Sequence, residues 1–164
     1  MNTRLTGITI DAANAVGYRV LVQKKDEHVI KREKSLDHFA EAVSWAADAA
    51  LHQALHNRTS IVHVEPAWAE GKLSGAVVRI DAESKLAYTE VPADDYVLTC
   101  SVLDPAKHWQ GIQSFAIDGA GQLIQRIGVF LGAGLLLADA ARCIVYHQGF
   151  EIFNLQATGL VLDK

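Results

Sequence analysis

Cysteine is scarce in this chain: only Cys100 and Cys143 occur among 164 residues, too far apart in sequence to form a close ligand pair. That excludes a disulfide framework and a zinc ribbon, and the expected setting is reducing and cytoplasmic. Proline occurs three times, which excludes proline-rich disorder. No uninterrupted apolar run is long enough for a membrane span. The longest stretch, residues 127–145, is broken by Gly128, Gly132, Gly134, Asp139 and Arg142. No cleavable signal or targeting pattern opens the sequence. An excess of positive charge is also missing, since 15 Lys and Arg face 19 Asp and Glu for a net charge of −4. A protein that coats nucleic acid by global charge is thereby excluded, while a local basic groove stays open.

What the chain does have is apolar residues, half of its length, arranged with readable periods. This suffices for a single domain over residues 1–164 with a sizeable core. Residues 5–11, 17–24 and 28–34 read as strands of an antiparallel meander, the second alternating Tyr18, Val20 and Val22 against Arg19, Leu21 and Gln23. Ser35 opens a capping pattern, and Phe39, Val43, Ala46, Ala47, Ala50, Leu51 and Leu55 recur at helical spacing until Asn57. Residues 59–65 are short, β-branched and apolar, which predicts a central strand. Beyond them the spacing predicts a helix over about 69–86, a strand over 87–91 stopped by Pro92, and a short helical piece from 93 toward 100. A short helix from Leu123 to Leu131 and a final one over 135–148 complete the reading. No internal repeat or linker is visible. A meander followed by alternation predicts an α/β fold, a mixed sheet with helices on both faces.

Three acids stand out within this frame. Asp11 ends the run Gly7-Ile8-Thr9-Ile10-Asp11, Glu65 ends Ile61-Val62-His63-Val64-Glu65, and Asp139 lies in Leu137-Ala138-Asp139-Ala140-Ala141-Arg142. A carboxylate at the end of so apolar a run is costly unless a partner compensates it, and a hard divalent cation would do so.

With these motifs the chain resembles the RNase H-like nuclease superfamily, and within it the RuvC-type Holliday-junction resolvases, over residues 7–149. Asp11 followed by small residues and Gly17-Tyr18 matches the family's first catalytic aspartate and second strand. Glu65 matches its strand-end glutamate, Trp68 the aromatic residue that engages an opened junction, and Val91-Pro92 the end of a fifth strand. Asp139 matches one of two helix aspartates; if it is the first, Arg142 occupies the second place, and if the second, Leu136 occupies the first.

The resemblance implies an RNase H-like mixed five-stranded sheet and a metal-dependent, structure-selective DNA endonuclease that resolves four-way junctions. Asp11, Glu65 and Asp139 would be its catalytic ligands for two Mg2+ or Mn2+ ions. Trp68 would stack on unpaired bases. Lys24, Lys25, Lys72, Arg79, Lys107 and Arg142 would contact phosphates, Lys107 lying beside Trp109. A homodimer is the geometry that cuts both strands of a two-fold junction. The competing expectation is a non-catalytic RNase H-like nucleic-acid-binding or scaffold protein. Elsewhere, His52 and His56 at i, i+4 spacing have no third metal ligand nearby and read as a solvated helix flank, while Trp45 reads as core.

Overall fold

The computed structural model of the protein describes residues 16–24, 30–56, 60–67 and 77–160. The chain runs β1 (Gly17–Lys24), β2 (Ile30–Leu36), α1 (Phe39–Leu55), β3 (Ser60–Ala67), β4 (Val78–Ser84), a single 3-10 turn (Tyr88–Glu90), β5 (Asp94–Leu103), β6 (Trp109–Gly119), α2 (Ala120–Leu137), β7 (Ala140–His147) and β8 (Phe150–Gly159). All eight strands form one antiparallel sheet in the order β2-β1-β3-β4-β8-β7-β5-β6, roughly 34 Å wide at the usual strand spacing.

Period-two patterning explains the sheet. Tyr18, Val20 and Val22 on β1, Val62 and Val64 on β3, Val78 and Ile80 on β4, Leu98 and Cys100 on β5, and Cys143 and Val145 on β7 all bury one face. Both helices cover that face, through Ala42, Val43, Ala46 and Ala50 of α1 and Leu123, Ile127, Leu131 and Leu135 of α2. By length and composition alone α2 would pass for a membrane span; 39% of it is buried, through these core residues. The helices cross closely, because a Cβ added at Gly128 would lie 2.7 Å from the Cα of Ser44. Among the described residues the other face of the sheet carries no helix and presents charged, polar and scattered aliphatic residues.

This corrects the expected α/β fold, the mixed five-stranded RNase H-like sheet with helices on both faces. Residues 78–84 and 94–103 are strands where helical segments were expected, and residues 135–148 break into the end of α2 and then β7. Val77 and Ile80 happen to lie three apart, but the burial alternates from Val78 onward. On β7 both faces are largely apolar, so the two-residue period fades and the run looks helical. Residues 87–91 form the 3-10 turn, not a strand. Ser35 pairs with Arg19 inside β2 and caps nothing; α1 begins after His38, which makes no side-chain cap. The strand expected over 5–11 lies outside the described residues.

The strand order also contains a repeat that the sequence does not display. β1-β2-α1-β3-β4 and β5-β6-α2-β7-β8 are two ββαββ halves, arranged 2-1-3-4 and 6-5-7-8 and meeting where β4 pairs with β8. Their registers coincide residue by residue. Tyr18 stands opposite Leu36 and Pro66, and Tyr96 opposite Ile117 and His147. Even the irregularities match: Lys31 is the extra residue of a bulge in β2, and Ile112 is the extra residue at the equivalent point of β6. Counting on from Leu36 and Ile117 without a gap sets Phe39 against Ala120, Asp48 against Val129 and His52 against Ala133. Cys100 and Cys143, opposite each other with Sγ atoms 4.0 Å apart, occupy the places of Val22 and Val62. Their hydrogen bond and then burial push the Cys143 thiol upward, as expected for a pair serving as core.

Candidate functional site

The residues chosen from sequence are dispersed. Glu65 lies within β3 directly opposite Arg19 of β1, and its Oε1 accepts a hydrogen bond from Arg19 Nη2 at 2.9 Å. Glu33 of β2 joins at 3.3 Å. The hydrogen bond to Glu65 is the main cause holding the Arg19 guanidinium above its ordinary value. A recess of about 270 Å³ opens beside this pair, lined by Gly17, Arg19, Ser35, Asp37, Glu65 and Pro66 among others.

Asp139 belongs to the turn between α2 and β7, where its carbonyl accepts the Gly159 N–H at 2.8 Å and its carboxylate lies 3.7 Å from Lys107 Nζ. It therefore stands outside the helix in which it was expected. The register Val64, Val78, Gly159 crosses from β3 to β8, and Asp139 bonds Gly159 on the far side. Glu65 and Asp139 are thus three strands apart, about 14 Å at the usual spacing. Asp11, Trp68, Lys25 and Lys72 lie outside the described residues, as does the side chain of Lys24. Among the described residues no group of three or more His, Cys, Asp and Glu is placed to hold a metal ion.

The described basic candidates face protein partners. Arg79 Nε is 3.2 Å from Asp81, Lys107 meets Asp139, and the Arg142 guanidinium lies 4.3 Å above the Trp109 ring with its Nε buried and unbonded. Asp104 shapes the turn that carries Lys107, accepting the His108 N–H at 2.8 Å and the Gln110 amide at 2.7 Å, and these bonds lower its pKa.

A smaller, mainly apolar recess lies elsewhere, on the helix side. A cleft of about 190 Å³ opens between the C-terminal half of α1, the N-terminal turns of α2 and the start of β5. Leu51, Leu55, Val91, Leu123, Ile124 and Phe153 make its apolar walls with the buried Tyr96, Ala120 is an exposed part of its lining, and Asp48 and His52 are its polar margin. Tyr96 is held by donating its hydroxyl to the Pro92 carbonyl, so its ring wall is fixed. Burial, with Asp94 nearby, pushes the phenol up, and it remains a neutral donor. Asp48 and His52 also line an adjoining recess of about 230 Å³ with Trp45 and Ala49.

The repeat explains why space exists here. In the first half Phe39 packs its ring 5.5 Å from Tyr18. In the second half the matching pair is Ala120 and Tyr96, and the missing phenyl group leaves a gap. The polar margin is likewise confined to one half, since Asp48 and His52 correspond to Val129 and Ala133. Sequence reading missed this site. It noticed His52, but with His56 in mind, when the useful neighbour is Asp48 four residues earlier on the same face. The substitution of alanine for phenylalanine was invisible before the halves were aligned by register. No known protein family, no curated protein and no solved structure matches the chain.

Proposed function

We propose that this is a non-catalytic binding protein whose helix-side cleft takes a small apolar molecule carrying a basic amine. The observation that carries the reading is the cleft itself, an apolar recess between α1 and the second half's β5 and α2, at the place where Ala120 stands for Phe39, with a carboxylate at its margin. Apolar walls supply affinity in proportion to the area they remove from water. Asp48, which has no ion-pair partner among the described residues, supplies the preference for a cation, and the neighbouring Trp45 ring favours the same sign of charge.

Against the junction-cleaving expectation stands the register. A two-metal site needs its carboxylates around ions about 4 Å apart, whereas Glu65 and Asp139 are separated by three strands. Glu65 is neutralised by Arg19 and needs no metal for compensation. The described cations expected on phosphates are matched by acids or stacked on an aromatic ring, which supports a binding role away from nucleic acid.

Calorimetric titration with 2-phenylethylamine and with its carboxylate counterpart, 3-phenylpropanoate, tests the proposal. The amine should bind, the carboxylate should bind at least about tenfold more weakly, and Asp48→Asn should erase most of that difference. Equal binding of the two probes, or amine binding that survives a blocked cleft in Ala120→Phe, would overturn it. So would magnesium-dependent cleavage of a four-way junction that is lost in Glu65→Gln.

A further inference from the structure

The two edges of the sheet occupy equivalent places in the repeat, yet only one is protected against pairing. Strand β2 reads Ile-Lys-Arg-Glu-Lys-Ser-Leu, charged at four of seven positions, with Lys31 as the bulge residue. Charge and a bulge are the usual defences of an exposed edge. Strand β6 reads Trp-Gln-Gly-Ile-Gln-Ser-Phe-Ala-Ile-Asp-Gly and carries one charge in 11 residues. Where β2 has Arg32, Glu33 and Lys34, β6 has Gln113, Ser114 and Phe115. Its bulge residue is Ile112, 54% exposed.

The helix beside this edge continues the pattern. Arg126 lies over the Phe115 ring, which fixes the flank of α2 that faces β6. Val129, Phe130, Ala133 and Leu137 follow on that flank at helical spacing. Val129 is 59% and Leu137 71% exposed. The matching positions of α1 are Asp48, Ala49, His52 and His56.

We infer that β6 and the adjoining flank of α2 form the interface of a homodimer, in which β6 pairs antiparallel with β6 of a second copy. A two-fold axis perpendicular to the sheet joins the described strands of the two copies into one sheet of sixteen, with the two described helices of each copy on the same face. The partner is a second copy because the edge is self-complementary. Antiparallel pairing about the two-fold sets the His108 end of each β6 beside the Asp118 end of the other copy. The bulge divides the ladder, leaving Gln113 to Gly119 as the longer regular run. The size also fits. An 11-residue edge is about 36 Å long, and a strip ~20 Å deep from strand to helix flank is roughly 700 Å² per copy, near the common interface size. Growth stops at two because each remaining edge is a charged β2.

Light scattering after size exclusion, on the full chain at tens of micromolar, should give twice 17.8 kDa. The double variant Ile112→Lys with Ser114→Glu gives β6 the charge pattern of β2 at exposed positions, and it should elute as a folded monomer by circular dichroism. A wild-type monomer would overturn the inference, as would a double variant that keeps the dimer mass. Recruitment of the wild-type chain to neutral phosphatidylcholine vesicles, lost in Leu137→Asp but intact in the double variant, would also overturn it by assigning the flank to a lipid surface. The amine titration is independent, since neither substitution touches the cleft.

Discussion

The first and second halves of the molecule share a register down to their bulges, and they differ in the residues placed on it. In the first half Phe39 packs against Tyr18, Arg19 and Glu65 neutralise each other, and charges guard β2. The second half leaves each of these places open. Ala120 stands for Phe39, Val97 and Tyr146 for the ion pair, and Gln113 to Phe115 for the charged edge. A repeated backbone thus tolerates large changes in chemistry as long as the period-two burial is kept. The positions where the halves disagree are the ones that stability of the fold does not dictate, and so they are where binding is to be sought.

The sharpest way to break the comparison is to remove the filler from the closed half. Phe39→Ala should cost about 3–4 kcal/mol in urea unfolding, because a buried ring is lost and the strands around Tyr18 cannot collapse into its place. A cost under about 1 kcal/mol would mean that the first half is not packed as the repeat requires. Next in size is the helix crossing, where α2 has Gly128 and the matching residue of α1 is the fully buried Ala47. Gly128→Ala drives a methyl group against the Ser44 backbone, so it should destabilise by about 1–3 kcal/mol despite the higher helix propensity of alanine. A gain in stability would show that the helices are able to separate there.

How much of this was legible in the sequence depends on how one-sided the burial is. Strands β1 and β3 and helix α1 were readable, since Tyr18, Val20 and Val22 alternate cleanly, and Ala42, Val43, Ala46 and Ala50 follow a helical stripe. Strand β7 was misread because both of its faces are apolar, and β4, in the first half, because a short strand happens to place apolar residues three apart. Of the candidate site only His52 was singled out. Phe153, Tyr96 and Ala120 come together through the strand order of the second half, a long-range property that no local period records. Glu65 was marked as a strand-end acid compensated by a metal ion, and the structure places it inside β3, partly buried, with Arg19 beside it.

Filling the open half should have a smaller and opposite effect. Ala120→Phe restores the first half's arrangement over Tyr96 and should stabilise by about 1 kcal/mol, less than a fully enclosed ring because the cleft opens to solvent. The same variant should abolish amine binding. Stabilisation without loss of binding would separate the cleft from the function assigned to it.

The smallest expected effect concerns pH. His63 on β3 corresponds to Ile144 on β7, and it is half-buried with Arg79 directly across the ladder. Burial first, and then Arg79, lower its pKa below the ordinary 6.5, against a weaker opposing pull from Asp81 and Glu65. The folded state therefore binds this proton less readily than the unfolded chain. Above about pH 6.5 neither state holds the proton and His63 costs nothing; as pH falls through that value the unfolded chain gains it first and stability declines. His63→Ile, which copies the second half, should leave stability near pH 8 within about 1 kcal/mol and flatten the decline between pH 7 and pH 5. The check is a set of urea unfolding curves across that range. Equal slopes for the two proteins would assign the acid sensitivity to other groups, and a steeper slope in the variant would reverse the sign argued for His63.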